Sequence, residues 1–317
     1  MSVYNAEKYV AEAIQSILNQ SFKNFELIIV DDASTDGSNE IIQRFVKLDK
    51  RLICFKNKAN KYAAVSRNFG IKKAKGKYVA IMDADDISSL NRLKKQFNFL
   101  EKNKDIFLVG SLAKHINEKG KKIGVSKIPI KNKIIKDFLL KDNPIYNSSI
   151  MFRNDKTFIY REKIFYCEDY DAFLLLDSKG KKIENLDEYL INYRILSTSI
   201  SRSKRVKQAL FMHKAQEFYE QRLSEGLDYY GEFDPKEFLE IDLLEKKSSK
   251  KDLIFVVTNS LKYYSDLQFY SKKLIKYYGF FNPFLLFYLL TFGGKNNFEF
   301  IIKSIQKIKL FIGLYRK

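Results

Sequence analysis

Apolar positions along this chain alternate between helical and strand-like spacing. Val10, Ala13, Ile14, Ile17 and Leu18 follow i, i+3, i+4, i+7 and i+8, which predicts an amphipathic helix with Asn5 as its N-cap. The run Phe25-Glu26-Leu27-Ile28-Ile29-Val30 then reads as a buried strand. Ser34-Thr35-Asp36-Gly37-Ser38 supplies turn and capping chemistry before a second helix, with Ile41, Ile42, Phe45 and Val46 on one face. A strand over 52–55, a helix over 63–74 and a strand over 78–82 continue the rhythm, which predicts an α/β fold with a mostly parallel sheet flanked by helices. Leu90, Leu93, Phe97 and Leu100 mark another helix, 106–109 another strand, and Asn117-Glu118-Lys119-Gly120 a hairpin turn. The order loosens past about residue 130, with a short helix near 131–141, a strand near 148–152, a helix near 168–178 and a strand near 189–196. Beyond about Ser203 the chain is rich in Lys, Phe and Tyr at helical spacing. A boundary near 205 is expected, separating an α/β domain over 1–205 from a helical region over 206–317, with no internal repeat.

Two of these strands end in acids. Asp31-Asp32 closes the first, and Asp83-Ala84-Asp85-Asp86 closes Tyr78-Val79-Ala80-Ile81-Met82. In an open α/β sheet the ligand crevice lies at the carboxyl ends of the strands, so both acidic clusters are expected at one site. Carboxylates gathered in one place repel each other unless a cation or a donor-rich ligand compensates them, and a divalent metal with a diphosphate satisfies that need.

Composition narrows the chemistry. With 317 residues, 45% hydrophobic and 30% charged, the chain can bury real cores and is not disordered. The net charge of +19 suggests an anionic partner, but abundant Lys, Asn, Ile, Phe and Tyr beside four Pro and no Trp also fit an A+T-rich coding sequence. Cys54 and Cys167 form no CxxC pattern and imply neither a disulfide framework nor structural zinc. Only His115 and His213 are available, so any metal is expected to be held by oxygen. The N-terminus carries no secretory signal, and the longest apolar stretch near the C-terminus, 284–292, is shorter than the ~20 residues of a spanning helix. A cytoplasmic location is expected.

These residues resemble the family 2 glycosyltransferases. The resemblance runs through Val3-Tyr4-Asn5-Ala6-Glu7, Ser16 to Phe22, Glu26 to Gly37, Arg67-Asn68-Phe69-Gly70-Ile71 and Gly76 to Asp86. It continues in Asn147-Ser148-Ser149-Ile150-Met151-Phe152-Arg153 and Glu168-Asp169-Tyr170-Asp171, covering about the first two thirds of the chain. It implies the Rossmann-like GT-A fold and transfer of one sugar from a UDP-sugar donor, with inversion at the anomeric carbon. By that resemblance Asp32 accepts the imide N–H of uracil while Tyr4 stacks beside the base. Asp83 contacts the ribose and the metal environment, Asp85 ligates Mn²⁺ or Mg²⁺ bridging the diphosphate, and Lys61 and Arg67 add positive charge. Asp169 is the implied general base, with Glu168 and Asp31 in support. Taken alone, Asp169 reads better as a first-turn helix charge than as a base, and Lys61 and Arg67 read equally as solvated charges.

Three features depart from the family pattern. The chain opens inside the motif that normally follows the first strand, so the expectation is that residues upstream of Met1 complete the sheet. Tyr62 stands where relatives often carry glycine in an Asn-x-Gly turn, and Leu196 where many carry histidine. In the tail, Phe298, Ile301, Ile302, Ile305, Ile308 and Ile312 share a helical face beside Lys303, Lys307, Arg316 and Lys317. That face either lies on an anionic membrane, placing 284–317 peripherally on the inner face of the cytoplasmic membrane, or packs on the catalytic domain. The expected acceptor is a surface glycan or glycolipid precursor such as lipooligosaccharide or capsule. A processive synthase is not expected, because its Gln-x-x-Arg-Trp motif requires Trp and this chain has none. The alternative is a non-catalytic basic binding protein on the same scaffold; nucleic acid is not expected, because the basic residues form no recognisable module.

Overall fold

The computed structural model describes residues 1–140, 142–196 and 204–239; the tail face proposed for membrane contact lies outside them. Two compact units emerge, one of residues 1–203 and 215–233, the other of 204–214 and 234–317.

The first unit begins with strand β1 (Ser2–Val3), helix α1 (Val10–Leu18), β2 (Leu27–Asp31), α2 (Ser38–Leu48) and β3 (Leu52–Lys56). The three strands pair in parallel in the order β1-β2-β3, as the alternation requires, since each return to the same sheet edge needs a helix between. Val10, Ala13, Ile14, Ile17 and Leu18 are all buried, and Val10, Ile14, Ile17 and Leu18 join Val3, Leu27, Ile29, Ile42 and Leu52 in one core. Each such side chain is worth roughly 1.5–3 kcal/mol of burial, which is why the periodic apolar positions fix this layer.

After α3 (Tyr62–Lys73) come β4 (Tyr78–Ala80), β5 (Ile87–Ser88), α4 (Arg92–Lys102), β6 (Ile106–Ile116), β7 (Lys122–Val125), α5 (Asn132–Leu139), β8 (Met151–Arg153), α6 (Glu168–Ser178) and β9 (Lys182–Arg194). They build a second sheet in the order β4-β8-β6-β9-β5, with β7 also on β6. Here only β6 and β9 run parallel; the other pairs are antiparallel. An isolated parallel bridge between Ser2 and Asp83 joins the end of β1 to the chain just past β4.

Local differences from the sequence expectation have identifiable causes. Asn5 is not the N-cap of α1: it sits at φ 49°, and its side-chain oxygen accepts from the Thr35 backbone N–H at 2.8 Å, tying two loops together, while Tyr9 precedes the helix. Leu90 lies outside α4 and is exposed. The 78–82 strand ends at Ala80 because the buried Arg92 guanidinium takes the Ile81 and Ile150 carbonyls at 2.8 and 3.1 Å. Residues expected to start a strand at 148 form a 3-10 turn, Asn147–Ser149, before β8.

Within the first unit, residues 215–233 pack through Tyr219, which donates to Asp177 at 2.6 Å, and through Asp228, which pairs with Arg161 at 2.7 Å. Helix α7 (Arg205–Glu225) supplies part of that segment. In the second unit, Phe211 meets Phe238 of the short helix α8 (Lys236–Leu239) edge-on at 5.3 Å.

Candidate active site

The carboxyl ends of β2 and β4 meet at β1. The Asp32 backbone N–H donates to the Val3 carbonyl at 2.8 Å, and Ser2 bridges to Asp83, so both acidic clusters open on one edge of the sheet. The fully buried Asp31 is spent on its own turn: it accepts from the Ser34 N–H at 2.9 Å and from Asn39 Nδ2 at 2.8 Å. Asp32 is also buried; its Oδ1 accepts from Asn57 Nδ2 at 2.6 Å and from the Lys61 backbone N–H at 2.9 Å. Lys61 thus reaches this site through its main chain, and its side chain is exposed. Tyr4, 49% exposed, is open to a stacking partner. The next residue after Lys61, Tyr62, holds φ at 67°, the left-handed region that favours glycine, and its ring meets Phe165 edge-on at 5.1 Å.

Asp83 and Asp85 have opposite surroundings. Asp83 accepts from Arg67 Nη2 at 2.8 Å, Ser148 Oγ at 2.8 Å and Asn147 Nδ2 at 3.4 Å. Burial works against its charge, but Arg67 and these donors hold the carboxyl below its ordinary range. The Asp85 carboxylate accepts no hydrogen bond from another of the described residues; burial, then the Asp83 charge, pushes it up to about 6. Asp86 is pushed well above the ordinary value by burial and then by the Asp85 and Asp83 charges, and among the described residues its buried Oδ2 has no hydrogen-bond partner.

Behind this cluster sit two buried arginines that the sequence reading did not single out. Arg92 lies under it in the core, where burial lowers the guanidinium to about 9. Arg194 donates to the Asp85 carbonyl at 2.8 Å and to Glu12 at 2.6 Å, while its own backbone N–H donates to Asp86 Oδ1 at 2.7 Å. Its only sequence signal is its place in Tyr193-Arg194-Ile195-Leu196.

Across the site, α6 starts at Glu168-Asp169. Arg67 joins the two sides, reaching Asp83 with Nη2 and Glu168 Oε1 with Nη1 at 2.5 Å. Its position between two carboxylates differs from the solvated-charge alternative: the side chain is only 13% exposed. Asp169 accepts from Asn143 Nδ2 at 3.0 Å; burial and then the Glu168 charge push its carboxyl up to about 7. A carboxylate near neutrality beside a cleft is suited to proton transfer.

The donor set bears on the expected cation. Among the described residues no group of three or more His, Cys, Asp or Glu forms a metal cage. One free carboxylate with a mutually repelling neighbour and an orphaned buried oxygen instead suits a magnesium- or manganese-type ion that completes its shell with diphosphate and water. A cavity of about 530 Å³ next to the site shares Arg67 with it and is otherwise lined by Met1, Phe25, Ile28, Tyr78 and Ala80 among others; Asp83, Asp85 and Asp169 are not among its lining residues.

Residues 1–167 match the family described as Glycosyl transferase family 2. An uncharacterized glycosyltransferase of Haemophilus influenzae is 31% identical over 328 residues, covering 97% of this chain and 95% of that protein. One of Methanocaldococcus jannaschii is 37% identical over 219 residues, 67% of this chain and 75% of that protein. The chain belongs to the family 2 glycosyltransferases. Its fold is similar to that of TarS of S. aureus: a crystal structure of TarS residues 1–349 with UDP superposes with TM-score 0.54 at 18% identity over 86% of this chain and 79% of that one. TarS with UDP-GlcNAc gives TM-score 0.57 at 16% identity over 96% and 90%.

Proposed function

We propose that this glycosyltransferase transfers a single sugar from a UDP-sugar to a hydroxyl of a surface glycan precursor, such as lipooligosaccharide or capsule, with inversion and with a divalent cation. The observation that carries the reading is Arg67, whose two ion pairs set Asp83 and the Glu168-Asp169 pair on opposite sides of one cleft. That TarS is described bound to UDP and to UDP-GlcNAc supports a uridine donor.

In this reading Tyr4 stacks on the uracil and Asp32 accepts its imide N–H through the carboxylate lone pairs left beyond Asn57 and Lys61. Asp83, already oriented by Ser148 and Arg67, faces the ribose. Asp85 holds Mn²⁺ or Mg²⁺ with Asp83 beside it, and the bound cation supplies charge neutralisation for the departing diphosphate. Asp169 takes the proton of the acceptor hydroxyl; that oxygen forms its bond to the anomeric carbon from the face opposite the diphosphate, whose C–O bond breaks with its electron pair leaving on UDP. The transition state is oxocarbenium-like, as in glycoside hydrolysis, and the anomeric configuration inverts. Glu168 stays ion-paired to Arg67 and so supports rather than exchanges protons.

The protein works on the cytoplasmic side, and the segment 284–317 brings it to an anionic membrane where lipid-linked acceptors lie. A putative teichuronic acid biosynthesis glycosyltransferase of Bacillus subtilis, TuaG, 32% identical over 202 residues, 63% of this chain and 79% of that protein, supports a surface-polymer acceptor. The test is UDP release from UDP-sugars against a panel of glycan acceptors, with NMR of the product's anomeric proton. An α-linked donor is expected to give a β-linked product, with turnover lost in Asp169→Asn and Asp85→Asn; a retained α-linkage, or full turnover in either variant, overturns the mechanism.

A further inference from the structure

The segment 143–149 touches both halves of the site. At one end Asn143 Nδ2 donates to Asp169 Oδ2 at 3.0 Å. At the other, Ser148 Oγ donates to Asp83 at 2.8 Å, while the Asn147 amide both donates to Asp83 and accepts from Tyr160 OH at 2.7 Å. Together with the Arg67 bridge this closes a ring of hydrogen bonds from Asp83 through the segment to Asp169 and back by Glu168.

The orientation of the Asn143 amide follows from its other bond. Its Oδ1 accepts from the Ile145 N–H at 3.2 Å, so Nδ2, not the oxygen, faces Asp169. The main chain there is held independently. Pro144 fixes φ at one residue, and its carbonyl accepts from the buried Asn185 Nδ2 at 3.2 Å, an amide that also reaches Pro129 at 2.7 Å. Asn185 fits because residue 110 is glycine: a Cβ there would clash with the Asn185 side-chain oxygen.

We propose that Asn143 is the positioning residue of the general base, holding Asp169 in one rotamer through the hydrogen bond to its Oδ2. The inference rests on the reading of Asp169 as base. A neutral amide suits this task better than a cation: it orients the carboxylate and favours its charged form, but leaves it basic. The groups that face or influence Asp169 are Glu168, Cys167 and the Tyr170 N–H from its own helix and helix start, Arg67 from α3, Asp83 beyond β4, Tyr160 from the preceding loop and Tyr193 from β9. Among the described residues, only Asn143 donates a side-chain hydrogen bond to the Asp169 carboxylate from another element.

The test titrates the Asp169 carboxyl carbon by NMR in the full chain labelled at aspartate, with Asp169→Asn assigning the resonance, and compares wild type with Asn143→Ala and the isosteric Asn143→Asp. Loss of the donor is expected to raise the Asp169 midpoint by about one pH unit in Asn143→Ala, equivalent to a tenfold change in the ionisation constant. Asn143→Asp, which also adds a like charge, should raise it further. Circular dichroism and UDP calorimetry verify that both variants fold and keep the donor side. An unmoved midpoint in folded Asn143→Ala overturns the proposal. The companion kinetic measurement is UDP release from UDP-GlcNAc with water as acceptor, where Asn143→Ala should lower kcat about tenfold to a hundredfold at unchanged KM. An unchanged kcat also counts against Asn143, whereas full turnover by Asp169→Asn removes the base assignment itself and leaves the NMR coupling standing.

Discussion

Replacing Asp169 by Asn should make the protein more stable at neutral pH while abolishing turnover. The folded carboxyl is raised from 3.8 to about 7, so folding favours its protonated form. A carboxyl with a raised folded value stabilises fully below its unfolded value and loses that contribution as pH climbs to the folded one; the relevant window runs from about 4 to about 7. Each pH unit inside the window is worth about 1.36 kcal/mol, so between pH 5 and pH 7 the wild type loses at most about 3 kcal/mol at this site. Local relaxation and water entry reduce that ceiling to ~1–2 kcal/mol, or roughly 2–8 °C in Tm for a domain of this size. Asparagine is the informative substitute because its carbonyl still accepts from Asn143 while no charge is buried. Thermal unfolding in EDTA, without nucleotide, at pH 4.5, 6 and 8 should show the Asp169→Asn advantage growing from pH 4.5 to about 7 and then levelling. An Asp169→Asn protein that is less stable at every pH, or whose advantage does not change with pH, refutes the argument that the base is held at an energetic cost.

With Asp169 as the proposed base, the same shift would set the pH response of catalysis: the base must be ionised, so turnover should rise with pH through about 7 and fall on the acid side, which a kcat profile between pH 5 and 9 checks. Arg67→Met leaves the Asp83 and Glu168 carboxylates facing each other across the cleft without their shared cation, and urea unfolding should show a loss of about 3–5 kcal/mol. At Tyr62, held at φ 67°, valine should cost more than about 1 kcal/mol, whereas glycine should fall within about 1 kcal/mol of wild type as relieved backbone strain offsets the lost Phe165 contact. Chemical denaturation of both variants distinguishes these outcomes.

The first half of the fold was readable because each element buries one periodic face: the five apolar positions of α1 and the runs in β2 and β3 have a single way to pack. The antiparallel pairing of the second sheet was not, since β4, β5 and β8 have only two or three residues each and carry no pattern of direction. Asn5 misled because an asparagine ahead of a helix serves a cap and a left-handed loop position equally well, and only the contact with Thr35 chooses between them. In the site, acids at strand ends were legible from position alone. What set Asp85 apart from Asp83 was not, because it depends on Ser148, Asn147 and Arg67 arriving from distant segments. Asn143 and Arg194 went unnoticed for the same reason: each acts through one long-range polar contact or a few, which no local spacing announces.

The central claim, a metal-dependent uridine donor site built on Asp85, is tested most directly by calorimetric titration of UDP with and without Mn²⁺ into wild type and Asp85→Asn. Tight binding is expected only in wild type with Mn²⁺, with Asp85→Asn insensitive to the metal. Metal-independent binding of equal strength in both proteins, or no UDP binding by folded wild type, would contradict it.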